Sequence, residues 1–564
     1  MKKLGVKLLT VFLAVMCLFG AMGCAADISR LTLDYDFDET GNVVEYTFYS
    51  LNWEQFEGAQ KDSVLEYIEN KFKVKINITG ASTSVWKDRL ATEIADGDTP
   101  DLFFTLPEES TFTDYIRKQV ITDINPYLER AAETENANLE GIGKATSLQT
   151  ILATEDYKDT TTVNGKNYFV PQSVGYTTRV MIVRKDWLAK WNQSRGKTGD
   201  DIYVAPSTLT DFTAMLQYFR EGDPDGDGNT NTYGMMLNNN FDFVQDMFAT
   251  FGIQPGYCLD ENGNYQLSVM QDNYKNMLSW FSDCCDKSYI FPEFATLTEA
   301  EALERFYRGG CGVILSVSDM VLDGIIYELG RLYPETDIND LIMLMTPPDS
   351  DDGQYKGAFK GWNFYWGGWC ISADAPEPMR LVRLLDYLFS PEGQKLMVYG
   401  IEGVHYTEEN GTIVPNYEVR LAEGANVFTC PDNSKKDEPG GRYSIGYQLN
   451  PCPYIIGEGN RLQINYPYDT AYDPAIMERA YALTHENTPN YSALRSIIAD
   501  PDINDYNALI ESSVETYTLR VIGGNSQESE YADLLNNLNA HHYQDVLEYL
   551  NENNKIVFHP HGKR

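Results

Sequence analysis

The sequence predicts an α/β protein built on a parallel sheet with helices on both faces. Three features predict it. Segments of strand and helix patterning alternate from about residue 43, and both kinds are short, as in βαβ units. The 564 residues are 43% hydrophobic and 13% aromatic, enough to fill the cores of several globular units or of one large two-lobed protein.

The elements follow in order. Residues 44–49 are rich in β-branched and aromatic side chains. Residues 63–72 place Val64, Leu65, Ile68 and Phe72 on one helical face, and 74–78 alternate as a strand. Residues 85–94 form a second amphipathic helix closed by Gly97, and 101–104 begin the next strand. The same alternation returns around 180–183 and 311–317. Residues 376–399 read as one core-facing helix carrying Leu381, Leu384, Leu385 and Leu388 at helical spacing. Gly165 and Pro171 flank an aromatic strand, a suitable place for the chain to cross between lobes. Gly/Asn/Pro-rich stretches near 220–240, 347–370 and 430–470 read as ordered loops of the kind that carry function.

Charge excludes one class of partner. With 44 Lys and Arg against 83 Asp and Glu, the net charge is −39, whereas nucleic-acid binding needs clustered cations that displace counterions. Electrostatic adhesion to anionic lipid is disfavoured for the same reason.

The first residues point to export. Lys2, Lys3 and Lys7 precede an uncharged stretch, residues 8–20, that is too short to span a bilayer and fits a signal-peptide core. Residues 1–23 are read as a leader and 24–42 as a tether. Ala21-Met22-Gly23-Cys24 resembles a bacterial lipoprotein box, which implies lipidation of Cys24 and a position on the outer face of the cell membrane. Plain secretion with an incidental cysteine is the alternative. Past Cys24 the cysteines are Cys258, Cys284, Cys285, Cys311, Cys370, Cys430 and Cys452, an odd set without C-x-x-C. Free thiols are expected, Cys284 and Cys285 included.

The segment 361–369, Gly-Trp-Asn-Phe-Tyr-Trp-Gly-Gly-Trp, crowds five aromatics into nine residues. Strand alternation sends at most half of them into a core. Sugar rings stack their apolar faces on aromatic rings while nearby amides and carboxylates bond the hydroxyls. The alternative is aromatics packed beneath a helix.

Several stretches resemble one family. The run from Trp86 through Asp96-Gly97-Asp98-Thr99-Pro100-Asp101-Leu102 looks like the helix-to-strand signature of extracellular solute-binding proteins. Asn164-Gly165-Lys166 to Pro171, and then Arg184-Lys185-Asp186-Trp187-Leu188, resemble the first interlobe crossing and the strand-to-helix start that follows it. Pro206-Ser207-Thr208, the Asp223 to Gly228 run, Pro292-Glu293-Phe294, and Ser390-Pro391-Glu392-Gly393-Gln394 through Tyr406 match the larger oligosaccharide-binding lipoproteins of Gram-positive ABC importers. The resemblance implies a two-lobed, periplasmic-binding-protein-like (type II) α/β fold with hinge crossings. By analogy lobe 1 takes 43–170 and 312–368, and lobe 2 takes 171–311 and 369–564. The implied function is capture of an oligosaccharide by hinge closure and delivery to the transmembrane permease subunits, by a monomer requiring no cofactor. The same fold serves peptide and other small-solute receptors.

Candidate ligand residues are Trp53, Trp86, Trp362, Tyr365, Trp366 and Trp369 for stacking, with Glu402 and His405. Asp223, Asp225, Asp227, Asn229 and Asn231 have the alternating oxygens of an EF-hand loop around Gly228, but Gly234 stands where its bidentate glutamate belongs. Related sugar-binding proteins hold a structural calcium in such a loop; an acidic Asp/Gly turn uses the same residues. The partial match at Asp500, Asp502, Asn504 and Glu511 reads as a helix cap. Catalytic motifs are not apparent: there is no H-E-x-x-H, phosphate loop or nucleophile elbow. A surface glycosidase would need only two suitably spaced acids.

Overall fold

The computed structural model describes residues 42–51, 63–82, 85–107, 110–133, 147–152, 162–173, 179–359, 365–409, 412–415, 474–487, 493–495, 498, 500–553 and 556–558. Along the chain, β1 (Val44–Leu51), α1 (Ser63–Phe72), β2 (Val74–Ala81), α2 (Trp86–Asp96), β3 (Leu102–Thr105), α3 (Ser110–Arg117) and β4 (Val170–Ser173) come first. Then follow β5 (Arg179–Arg184), α4 (Lys185–Ser194), α5 (Leu209–Glu221), β6 (Tyr233–Met236), α6 (Asp242–Gln245), β7 (Cys311–Ser318) and β8 (Ile342–Met345). The chain continues through β9 (Tyr365–Ile371), α7 (Pro378–Phe389) and α8 (Pro391–Tyr399), and ends on helices that include α9 (Pro474–Asn487) and α10 (Pro501–Ile522).

Two sheets organise these elements. The first has five strands in the order β2-β1-β3-β9-β4, with β1, β2 and β3 parallel and β9 antiparallel to both neighbours. The second has four, β8-β5-β7-β6, with β5 antiparallel to both neighbours and β6 parallel to β7. Strands β3 and β5 are buried along their whole length, the pattern of a sheet covered on both faces. Each sheet has its own core: one gathers buried side chains from Tyr46 to Val170 and from Trp369 to Met397, the other from Val180 to Phe359 and from Ile476 to Leu550. Helix α10 of the second unit also packs on α3 of the first.

The Asp-Gly-Asp-x-Pro-Asp stretch has a local reason to exist. Gly97 ends α2 in the left-handed region at φ +90°, its N–H bonding the carbonyls of Glu93 and Ile94. Asp101 then accepts from the backbone N–H of Thr47 at 2.7 Å and its hydroxyl at 2.9 Å, and so pins the entry of β3 to β1.

The structure corrects the expected division into lobes. Residues 312–345 were assigned to lobe 1, but β7 pairs with β5 and β6, and β8 pairs with β5. Residues 369–397 were assigned to lobe 2, yet β9 pairs with β3 and β4, and α7 buries Leu381, Leu384, Leu385 and Leu388 in the first core. Periodicity reports what kind of element a segment forms and says nothing of which sheet it joins. The helix expected over 376–399 is two helices, because Pro391 starts a new one and the Ser390 hydroxyl caps it by accepting from Gly393 N–H.

Cys258, Cys284, Cys285, Cys311 and Cys370 are buried free thiols. Burial pushes the Cys284 and Cys285 thiols up to about 12. Ellman's reagent at pH 8 is therefore expected to leave both unmodified until denaturant is added, because only about one thiol in ten thousand is ionised there. In the unfolded chain these thiols ionise near their ordinary value of 9.0, whereas the folded chain keeps its protons longer. The unfolded state thus binds fewer protons, and stability falls as pH rises from about 9 to about 12. Urea midpoints measured across that window check the sign.

Candidate functional site

Strand direction locates the site. In the first sheet the carboxyl ends of β1 to β4 and the amino end of β9 share one edge. In the second, the carboxyl ends of β6, β7 and β8 and the amino end of β5 do the same. Open α/β sheets bind ligands outside such edges. The chain leaves the first edge at Ser173 and enters the second at Arg179, and it returns from Phe359 to Tyr365. Each passage spans six residue steps, so the two edges lie within roughly 20 Å of each other. Ends this close can share one ligand between them.

The first edge carries Ser82 and Val85, the latter 42% exposed at the start of α2, near buried Thr105 and Leu106. The second carries a run the sequence reading did not single out: Asn238, Asn239, Asn240 and Phe241 directly after β6. The Asn238 side-chain oxygen accepts from Asn240 N–H at 2.8 Å, and Asn239 N–H donates to Leu297 at 2.9 Å. This Asx turn leaves Asn239 and Asn240 exposed, with Phe241 half-buried beside them. Three successive asparagines after a strand were the available signal. Ser318, at the end of β7, caps the helix that begins at Asp319 by accepting from Val321 N–H.

Trp86 and Trp369 are not stacking platforms. They are 3% and 2% exposed, and both rings meet Phe104, at centroid distances of 6.0 Å and 5.7 Å. Trp369 faces inward from a strand flanked on both sides, and Trp86 points from the first turn of α2 onto the sheet. The glycines of the aromatic run serve the same packing. A Cβ on Gly367 would lie 2.4 Å from the Phe104 ring, and one on Gly368 2.2 Å from the Phe169 ring. His405 is also structural: fully buried, it accepts the Ile401 N–H on Nδ1 at 2.7 Å and so closes the turn after Gly400. Glu402 is exposed on that turn, which follows α8 and no strand end of either sheet. Tyr365 and Trp366 lie on β9; their side chains, with all of Trp53, Trp362 and Cys24, fall outside the described residues.

The acidic loop joins α5 to β6 at the end of β6 opposite the cleft edge. One oxygen from each of Asp223, Asp225 and Asp227 lies within 4.8 Å of the others, the one such group among the described residues. Backbone turns aim them: Gly226 and Gly228 have φ of +79° and +81°, and Asp223 accepts from both glycine N–H groups at 3.1 Å. Asp227 accepts from Asn229 N–H at 2.7 Å and from the Asn231 amide at 3.0 Å. Bonds from Asn229 hold the Asp227 carboxyl below the usual range. Burial, then the hydrogen bond and charges of its acidic neighbours, push Asp225 up. Such crowding is what a bound cation would relieve. A glutamate is impossible at Gly234, where a Cβ would sit 2.7 Å from the Leu216 carbonyl. Asp500 instead caps α10, accepting from Asp502 and Ile503 N–H groups at 3.0 and 3.2 Å.

Comparison with known proteins decides the family. The bacterial extracellular solute-binding protein family matches residues 57–395, a stretch holding every strand named above except β1. The chain belongs to that family. Its members are binding proteins, not enzymes. Two relatives from Bacillus subtilis (strain 168) are each 23% identical: the polygalacturonan/rhamnogalacturonan-binding protein YtcQ, over 62% of this chain, and the lipoprotein LipO, over 63%. The matches span 64% and 66% of those proteins' lengths, just under two thirds. Among solved structures, an extracellular solute-binding protein from Bifidobacterium longum subsp. infantis superposes with a TM-score of 0.64 at 14% identity, over 91% of this chain and 98% of that one. An EF-hand mutant of the S. pneumoniae ABC-transporter substrate-binding protein FusA, in complex with fructo-nystose, gives 0.60 at 17% identity with the same coverage. At these identities the structures speak for the two-lobed fold.

Proposed function

We propose that this chain is the substrate-binding lipoprotein of an ABC importer and captures an oligosaccharide between its lobes at the outer face of the cell membrane. The observation that carries the proposal is the pair of strand edges joined by short passages, one of which bears the aromatic run at 361–369. Trp53, two residues past β1, with Trp362, Tyr365 and Trp366, supply the rings. Asn239 and Asn240 supply amides for sugar hydroxyls. Closure on the ligand gives the permease a surface it recognises, so the ligand shifts an open–closed equilibrium by its differential affinity. Two named sugar binders, YtcQ and FusA, support the ligand class, and LipO supports acylation of Cys24. The receptor acts as a monomer.

Thermal unfolding against a panel of di- to hexasaccharides tests this reading. A true ligand at a hundred times its Kd adds about 2.7 kcal/mol of stability and raises the midpoint. Response to short peptides with silence across the glycans would turn the assignment to a peptide receptor.

Calcium fits the acidic loop through Asp223, Asp225 and Asp227, with Asn229 and Asn231 completing the oxygen set. It would supply charge neutralisation and fix the turn into β6, away from the cleft. Chelation is expected to lower the unfolding midpoint and calcium to restore it, and Asp225→Asn should abolish both responses.

A further inference from the structure

One segment crosses the ligand-facing edge of the second sheet. It leaves β6 at Met236, packs α6 on β7, and reaches Asp246, which accepts from Arg179 Nε at 3.0 Å at the amino end of β5. Its start is fixed as firmly. The Asn238 side-chain oxygen accepts from Asn240 N–H, and Asn239 N–H donates to the Leu297 carbonyl. The Asn240 carbonyl accepts from Phe243 N–H at 3.3 Å, and the Phe241 carbonyl accepts from Val244 N–H at 3.0 Å. A backbone tied at this many points presents its side chains without having to reorganise for a ligand.

Phe241 is the odd side chain of this segment. Phe243, Val244, Met247 and Phe248 are buried in the second core, whereas Phe241 is only half-buried. Its ring meets Phe248 edge-on at a centroid distance of 6.1 Å, and Phe248 meets Tyr274 in the same way at 5.5 Å. The ring is thus backed by buried rings and still partly open to solvent, two residues from the exposed side chain of Asn239. A part-exposed ring alone needs no explanation. A backed ring beside an exposed amide, on a fixed turn at a ligand-facing edge, has the makeup of a sugar subsite. The ring takes the C–H face of the sugar and the amide takes a hydroxyl.

We infer that Phe241 and Asn239 form the second lobe's own subsite and take one pyranose unit of the oligosaccharide. The C–H face of that unit lies on Phe241, and Asn239 bonds a hydroxyl at its rim. The inference rests on the oligosaccharide reading above and adds the kind of unit recognised and the residues that recognise it. It also gives the second lobe a direct hold on the ligand, since Trp53, Trp362, Tyr365 and Trp366 all adjoin or lie on β1 and β9 of the first sheet.

Isothermal titration calorimetry on the full chain tests it, with the di- to hexasaccharide that most raises the wild-type unfolding midpoint as titrant. Phe241→Leu keeps the apolar bulk and deletes the aromatic face. It is expected to weaken binding about tenfold while the unliganded midpoint stays within about 2 °C of wild type. Phe241→Tyr keeps the ring and should restore binding. A ring that merely filled the core would show the reverse, a lower midpoint with unchanged affinity. Asn239→Ala, on an exposed side chain, should weaken binding about fivefold, and it carries the test should Phe241→Leu fail to fold. Wild-type affinity in either variant would overturn the inference and leave the oligosaccharide reading standing. A wild type that binds no glycan of the panel would overturn both.

Discussion

Truncating Trp369 to alanine is expected to lower the unfolding free energy by about 3–5 kcal/mol, with or without sugar present. The ring is 2% exposed and tilts against Phe104 and Phe48, at centroid distances of 5.7 Å and 6.5 Å. Its removal leaves a cavity in a sheet held on both sides by paired strands. Trp86→Ala belongs to the same class, since Trp86 packs on Phe104 from the other partner element and its carbonyl accepts from the Tyr49 hydroxyl. Urea unfolding measures both. A ligand-binding tryptophan would behave the other way, with stability little changed and the sugar-induced midpoint shift lost.

Asp246→Ala is the second large effect, at about 3–5 kcal/mol, because it strands the Arg179 guanidinium inside the second lobe without its charge partner. The paired replacement Arg179→Met with Asp246→Leu should recover most of that loss, since both the charge and its desolvation disappear together. A double-mutant cycle on urea midpoints reads the difference. Non-additivity is expected, as the two side chains touch.

These two cases show what was legible in the sequence. Strand and helix periods located β1, α1, β2, β5 and β7 to within three residues. Leucine spacing placed α7 in a core, although Pro391 marked a break that spacing alone passes over. Sheet membership was not legible, because β7 and β9 find partners far away in sequence and nothing local distinguishes the two sheets. The aromatic run was legible as a cluster, but the sides its rings take depend on β9 lying between β3 and β4. Trp369 therefore joined the core against expectation. His405 looked like a site residue, and its burial behind Gly400 depends on a turn that composition does not encode. The acidic loop was legible as a cluster of alternating carboxylates, whereas the reason Gly234 cannot be glutamate appears only once β6 packs on α5.

The central claim is capture of a sugar by lobe closure, and scattering with and without the glycan that most raises the unfolding midpoint tests it most directly. The predicted result is a decrease in radius of gyration that saturates with the same concentration dependence as the midpoint shift. A glycan that stabilises the protein while the scattering curve stays unchanged at saturation would contradict closure, and a full glycan panel without any binding would contradict the ligand class.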